Sequence, residues 1–235
     1  MKSAIFIDYD NLGIHKTSGI LDIVTKVLIQ TPIDLPFARG TCDVRVYGGW
    51  YEGNIMSQLA QKVAVSIQRQ FPAIIRVPRD GGTIPLLVNA ELAVSLLEEP
   101  AHHLFNTYRK KGRPNNIRVY SPGEVGCIDA SCLLPFTRKL LKTGKCPIST
   151  CDCKSDDLIY RHEQKIVDTM LTCDLLYATR LDLDYVILIS SDDDFLPPVR
   201  TCLLRGTPIV RFHPTANAQR ATSPGIGARF FEMEL

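Results

Sequence analysis

The sequence predicts an α/β domain built on a mostly parallel sheet flanked by helices. Three observations carry that expectation. Short apolar segments alternate with helix-like segments from the N-terminus onward. YVILIS at 185–190 is continuous, β-branched and uncharged, as a central parallel strand buried on both faces should be. Acidic clusters directly follow two of the strand candidates, at the edge where open parallel sheets collect their ligands.

The elements follow in order. Residues 3–8, SAIFID, read as a buried strand closed by Asp8. Residues 11–30 set Leu12, Ile20, Ile23, Val24, Val27 and Leu28 at helical spacing; Gly13 and Gly19 weaken the start, and Pro32 and Pro36 close the segment. Residues 42–47, CDVRVY, alternate as a second strand. Residues 54–70 place Ile55, Leu59, Val63 and Ile67 on one stripe and stop before Pro72. Residues 74–77 form a third, short strand. Pro78-Arg79-Asp80-Gly81-Gly82 then breaks the alternation. Residues 86–98 have helical spacing, and 100–154 are irregular and rich in Pro, Gly and Cys. The stretch 79–155 reads as an insertion in, or an elaboration of, a single domain spanning 1–235. Beyond it the pattern predicts one long helix over 157–180, a helix over 194–205 and a last strand at 207–212. There is no internal repeat.

Of the 235 residues, 45% are hydrophobic and 22% charged, enough for a sizeable core and too apolar for overall disorder. The 27 basic and 25 acidic residues leave a net charge of +2, which permits a local basic surface but not a globally basic one. After Met1-Lys2-Ser3 only a few apolar residues precede Asp8, so the start does not resemble a secretory signal. No uncharged apolar run approaches the ~18 residues of a membrane helix. Eight cysteines without such a signal point to a cytoplasmic protein with reduced thiols, where metal binding is expected ahead of disulfides.

The chemistry concentrates in two clusters. One is Ile7-Asp8-Tyr9-Asp10-Asn11; the other is Ser190-Ser191-Asp192-Asp193-Asp194-Phe195. Adjacent carboxylates repel and raise one another's pKa unless a cation neutralises them. Their oxygens suit hard ions such as Mg²⁺ and Mn²⁺. Some of these acids also suit helix capping: Asp10 or Asn11 after the first strand, Asp192 or Asp193 after YVILIS. A cap needs one acid, and each loop supplies more. On the expected long helix, Lys165 and Asp168 share a face, either as an ordinary ion pair or as part of the acidic site. Asp174, about 240° further round, does not share it.

These residues resemble a known family. Asp8-x-x-Asn11-Leu12 at a strand end, Lys165-x-Val167-Asp168 on a helix and Ser191-Asp192-x-Asp194-Phe195 after a central strand look like the NYN domain, the LabA-like branch of the PIN-like nuclease superfamily. The likeness covers about 1–77 and 156–212. It implies a three-layer PIN-like fold and metal-dependent cleavage of RNA to products with a 5′-phosphate and a 3′-hydroxyl. It also implies that Asp8, Asp168, Asp192 and Asp194 hold Mg²⁺ or Mn²⁺, supported by Asn11 and Ser191, with Lys165 near the leaving oxygen. The family usually has glycine where Ser191 stands, a departure that bears on rate more than on fold.

Between 109 and 154 stand ten basic residues and three acidic ones, a net +7 that leaves −5 elsewhere. Arg109, Lys110, Lys111, Arg113, Arg138, Lys139 and Lys142 are therefore candidate contacts to single-stranded RNA phosphates, against the alternative of a solvated insertion. Trp50 and Tyr51 either stack on bases or pack in the core. Cys127, Cys132, Cys146, Cys151 and Cys153 have the spacing C-x4-C-x13-C-x4-C-x-C, which leaves open a structural Zn²⁺, free thiols or a redox role. Cys42, Cys173 and Cys202 are expected in the core. His162 is a weak further ligand candidate.

Two rival functions stand beside the nuclease. Asp8-Tyr9-Asp10 resembles the D-x-D motif of haloacid-dehalogenase-type phosphatases, although Leu12 falls where that family favours Thr or Val. A non-catalytic RNA-binding module would retain the basic segment without turnover.

Overall fold

A computed structural model describes residues 2–32, 40–79, 82–112, 118–127, 129, 131–164, 166–215 and 229–235, without the side chains of 109–112 and 160–164. In chain order the first elements are β1 (Lys2–Asp8), a 3-10 segment (Asp10–Thr17), α1 (Ile20–Gln30), β2 (Gly40–Tyr47), β3 (Tyr51–Glu52), β4 (Ile55–Met56), α2 (Gln58–Gln70), β5 (Ala73–Arg79) and β6 (Gly82–Leu92). Then come β7 (Tyr108–Gly112), α3 (Leu134–Thr143), α4 (Ser155–Leu158) and β8 (Tyr160–Gln164). The last are α5 (Val167–Ala178), β9 (Tyr185–Ile189), α6 (Leu196–Leu204), β10 (Ile209–His213) and β11 (Phe230–Glu234). The chain divides into two compact units, one of Met1–Thr107 with Gln164–Leu235 and one of Tyr108–Glu163.

The first unit is α/β. Its main sheet has seven described strands in the order β11-β10-β9-β1-β2-β6-β5. Neighbours are parallel except β5 and β6, which pair as a hairpin with Arg79 opposite Gly82. β1 and β9 lie inside the sheet and are buried along almost their whole length, as uninterrupted apolar runs require. Helices cover both faces. On one, α1 sets Ile20, Ile23, Val24, Val27 and Leu28, and α2 sets Val63 and Ile67, against Ile5, Ile7, Val44 and Val46. On the other, Val167, Met170, Leu171 and Leu175 of α5 and Val199, Cys202 and Leu203 of α6 meet Ala4, Phe6, Val186 and Leu188. Alternation along β1 therefore feeds both cores, because successive side chains point to opposite faces.

Several expectations need correction. Residues 86–98 are not helical: β6 occupies most of them, lying between β2 and β5. Ala, Leu and Glu favour helix locally, but insertion between two strands overrides propensity. The expected 157–180 helix is α4, β8 and α5, and helix resumes only at Val167. The first helix splits at Ser18 into a 3-10 segment and α1, which begins after Gly19. The stretch 54–57 is strand and turn, and α2 starts at its Ser57 cap, whose Oγ accepts from the Ala60 N–H at 3.1 Å. β11 follows the strand expected to be last. Trp50 is fully buried, donating through Nε1 to the Val46 carbonyl at 3.0 Å, so it serves the core and does not offer a stacking face. Its ring leaves no room for a side chain at Gly48, where a Cβ would stand 2.8 Å away. Cys42 and Cys202 are buried, but Cys173 is exposed on α5.

A buried polar network fastens α5 to β2. Tyr47 donates its hydroxyl to Asp174 Oδ2 at 2.8 Å, and the Leu97 N–H donates to Asp174 Oδ1 at 2.7 Å. Arg45 approaches the same carboxylate at 3.7 Å, meets Glu91 at 3.3 Å and donates to the Ser95 carbonyl at 2.6 Å. Asp174 is thus the buried acid of α5, and Asp168 is exposed in its first turn.

The second unit has a different balance. β7 and β8 are neighbours in a small sheet, and α3 and α4 are short. Among its described residues no hydrophobic side chain is buried, and Ser155 is the one buried residue.

Candidate functional site

Parallel β1 and β9 end side by side, with Ile7 opposite Ile189. The two acid-bearing loops therefore leave the sheet at the same edge. Asp8, the last residue of β1, is buried. Its Oδ2 accepts from the Ser190 hydroxyl at 2.9 Å and its Oδ1 from the Asn11 N–H at 3.3 Å. Asn11 Oδ1 in turn accepts from the Ser191 N–H at 2.8 Å. The two loops are thus stitched together across about 180 residues of sequence by two hydrogen bonds, Ser190 to Asp8 and Ser191 to Asn11.

The second loop is ordered by its own hydrogen bonds. Ser190 Oγ accepts from the Asp192 N–H at 3.0 Å, and Asp192 Oδ1 accepts from the Asp194 N–H at 2.9 Å, so Asp192 does cap a short 3-10 turn. Beneath the loop lies Arg211 of β10, with no exposed side-chain surface. It donates from Nε to the Ser190 carbonyl at 3.0 Å and from Nη2 to the Asp192 carbonyl at 2.8 Å. Its fork also meets Asp193 Oδ1 at 3.2 Å, and Nη1 lies 3.6 Å from Glu232. Asp193 is thereby turned onto Arg211, whereas Asp192 and Asp194 act on Asp168. His213 contacts Glu232 at 3.1 Å, and the Thr215 N–H donates to Ser191 Oγ at 3.2 Å. Ser191 Oγ thus serves as a backbone tie between the loop and the residues after β10.

Electrostatics links the acids that hydrogen bonds do not. Burial pushes the Asp8 carboxyl up to about 6; the Ser190 and Asn11 hydrogen bonds oppose this, and the Asp168 and Asp10 carboxylates add to it. Asp168 is also raised, by partial burial first and then by Asp192, Asp194 and Asp10. Asp168 therefore acts on Asp8, Asp192 and Asp194 act on Asp168, and Asp10 acts on both Asp8 and Asp168. Asp10 is partly neutralised by Lys16 at 3.2 Å and accepts from the Gly49 N–H at 3.4 Å. Ile166, just before Asp168, holds φ at 61°, a conformation rare for a β-branched residue. Such backbone strain persists where surrounding structure enforces it, often beside functional residues.

The donor set is all carboxylate oxygen, and neighbouring carboxylates help to raise Asp8 and Asp168, which is the chemistry that favours a hard divalent cation. Yet among the described residues no three His, Cys, Asp or Glu side chains form a ready-made metal-binding group.

Lys165 and Arg113 lie outside the described residues, as do the side chains of Arg109, Lys110, Lys111 and His162. Arg138, Lys139 and Lys142 stand on α3, and Arg138 and Lys142 lie near enough to Glu124 to help lower its carboxyl. The cysteines form a pair, Cys127 with Cys132, and a trio in which Cys151 contacts Cys146 and Cys153. Sequence reasoning missed Ser190, Arg211 and Glu232 as supports. A signal for Arg211 was present: one charged residue inside the strand IVRFH needs a buried partner.

No protein-family model matches the chain, and neither a curated protein nor a solved structure matches it. No helix among the described residues is long and apolar enough to cross a membrane.

Proposed function

We propose that this chain is a metal-dependent ribonuclease of the PIN-like, NYN type. The observation that supports the reading most is electrostatic. Asp8, Asp168, Asp192 and Asp194 come from three separate stretches of chain; Asp168 helps to raise the Asp8 carboxyl, and Asp192 and Asp194 help to raise that of Asp168. They are also the four acids that the motif resemblance singles out.

Asp8, Asp168, Asp192 and Asp194 would hold the Mg²⁺ or Mn²⁺. When bound, that ion neutralises phosphoryl charge and makes an attacking water more acidic. The protein's own groups account for the rest. Ser190 and Asn11 fix both oxygens of Asp8, so its carboxylate is oriented before any ligand arrives. Arg211 holds the Ser190 and Asp192 carbonyls and keeps Asp193 aside. The raised carboxyl of Asp8 favours a proton when no cation is present, so cation and proton compete for it. A groove of about 270 Å³ beside Tyr9 is lined by Lys16 and Lys62, a cationic wall suited to the phosphates of an RNA strand. Arg138, Lys139 and Lys142 of the second unit supply further phosphate contacts.

The test is cleavage of single-stranded RNA with Mn²⁺, by the wild type and by the Asp192→Asn/Asp194→Asn variant. The wild type should cut and leave 5′-phosphate ends. The variant should bind RNA without cutting it. RNA binding without cleavage by either protein would favour the non-catalytic module. Hydrolysis of a small phosphomonoester through a phosphorylated Asp8 would favour the phosphatase.

A further inference from the structure

The second unit poses a problem of its own. It spans Tyr108–Glu163, and none of its described hydrophobic side chains is buried. Leu133, Phe136 and Tyr120 are more than half exposed. A unit this small with so little core ordinarily depends on a cross-link or a metal. All eight cysteines are free thiols, so no disulfide supplies that link.

The thiols sit in a particular backbone setting. The Leu134 N–H donates to Cys132 Sγ at 3.4 Å. The Asp129 N–H donates to Cys127, and the Cys153 N–H to Cys151. In all three cases the donor lies two residues beyond the cysteine. An N–H aimed at sulfur stabilises the anion, which is the form that binds a metal. Cys146 and Cys153 are drawn together by a tight hairpin. Lys145 bridges Lys154, the Cys146 N–H donates to the Cys153 carbonyl at 3.0 Å, and the Cys151 N–H donates to the Ile148 carbonyl at 3.1 Å within it. Cys151 contacts both flanking thiols. Three sulfurs on one eight-residue hairpin and two on the segment before α3 exceed the four that a structural zinc site uses.

We propose that the second unit binds one structural Zn²⁺ through Cys146, Cys151, Cys153 and one thiol of the Cys127–Cys132 pair. The thiols stand as a trio and a pair, and among the described residues no three His, Cys, Asp or Glu side chains form a ready-made metal-binding group. Rotation about χ1 moves each sulfur between staggered wells without disturbing the backbone. Binding forms four Zn–S bonds, and each thiol that was protonated releases its proton to solvent. The N–H donors at Cys151 and at the ligating member of the Cys127–Cys132 pair then face thiolate. The metal links α3 to the hairpin and supplies the stability that the missing core does not. This inference stands independently of the reading of the acid cluster.

The experiment measures metal content and Co²⁺ substitution on the full chain, purified under reducing conditions. About one zinc per chain is expected for a single four-thiolate site. Replacement by Co²⁺ should give the thiolate charge-transfer band and the intense visible bands of tetrahedral Co²⁺. Cys146→Ser/Cys151→Ser/Cys153→Ser should lose the stoichiometric metal, and Cys173→Ser, outside this unit, should keep it. Chelation of wild-type metal should speed proteolysis within residues 118–159. Wild type that binds neither zinc nor Co²⁺ stoichiometrically overturns the proposal, and so does a triple variant that keeps its metal. The Co²⁺ spectrum of the wild type decides the matter even if the triple variant fails to fold.

Discussion

The two units carry their polar chemistry in opposite ways. In the first, each acid-bearing loop springs from a fully covered strand and is held by named partners: Ser190 and Asn11 on Asp8, Arg211 under Ser190 and Asp192. In the second, cysteines and basic residues lie on short elements with no buried hydrophobic side chain among those described. A packed sheet can hold like charges close together because the core, not the charges, supplies the stability. A unit without such a core needs its reactive groups to do the holding. The difference teaches that a packed sheet positions its acids through the core, whereas the thiols have no such support.

The largest expected effect falls on the acids. Asp192→Asn with Asp194→Asn should reduce RNA cleavage to background while a gel-shift assay still finds RNA bound. Retained cleavage would show that these acids are not the centre. Next is Arg211→Met, which strips a buried cation from carbonyls and two carboxylates and should cost about 3 kcal/mol in urea unfolding. Arg211→Lys should recover only part of that, because an ammonium cannot reproduce the fork. Unchanged stability in Arg211→Met would remove the support assigned to β10.

The pH response of the metal-free protein sharpens the contrast further. The Asp8 carboxyl rises from an ordinary 3.8 to about 6 in the fold. The folded chain therefore holds the extra proton in that window, and stability should fall as pH rises from about 4 to 6, by up to about 3 kcal/mol. Asp8→Asn removes this penalty, so above pH 6 the metal-free variant should melt higher than the wild type, even as it loses activity. A melting curve that keeps the same pH slope in the variant would refute the assignment. Smaller still, Tyr47→Phe should cost about 1 kcal/mol by leaving Asp174 one donor short. In the second unit, Arg138→Ala/Lys139→Ala/Lys142→Ala should leave folding almost unchanged and lower the salt slope of RNA binding by about 2, at roughly 0.7 per phosphate contact.

Much of the first unit was legible in its residues. SAIFID and YVILIS announce inner parallel strands because both faces of each are apolar, and the carboxylates behind them mark the edge of the candidate site. The hairpin of β5 and β6 was not read, although Asp80-Gly81 between Arg79 and Gly82 is a strong two-residue turn signal. Helix-forming Ala90, Glu91 and Leu92 masked it, and their strand state comes from pairing with β2, a contact distant in sequence. The single helix expected over 157–180 failed for a related reason: YRHEQ has no local feature that forces strand, and β8 forms beside another strand. Of the site, the acids were visible as clusters. Ser190, Arg211 and Glu232 were not, because a supporting role is defined by what a side chain meets across the sheet. Asp174 was placed off the acidic face correctly, but its partners Tyr47 and Leu97 lie far away in the chain.

Titration of Mn²⁺ into metal-free protein, followed by electron paramagnetic resonance, reads the acidic edge without depending on any substrate. Wild type should withdraw the free-ion signal saturably, and Asp8→Asn/Asp168→Asn should leave it close to that of buffer. Equal Mn²⁺ uptake by the two proteins, or none by either, would contradict the account.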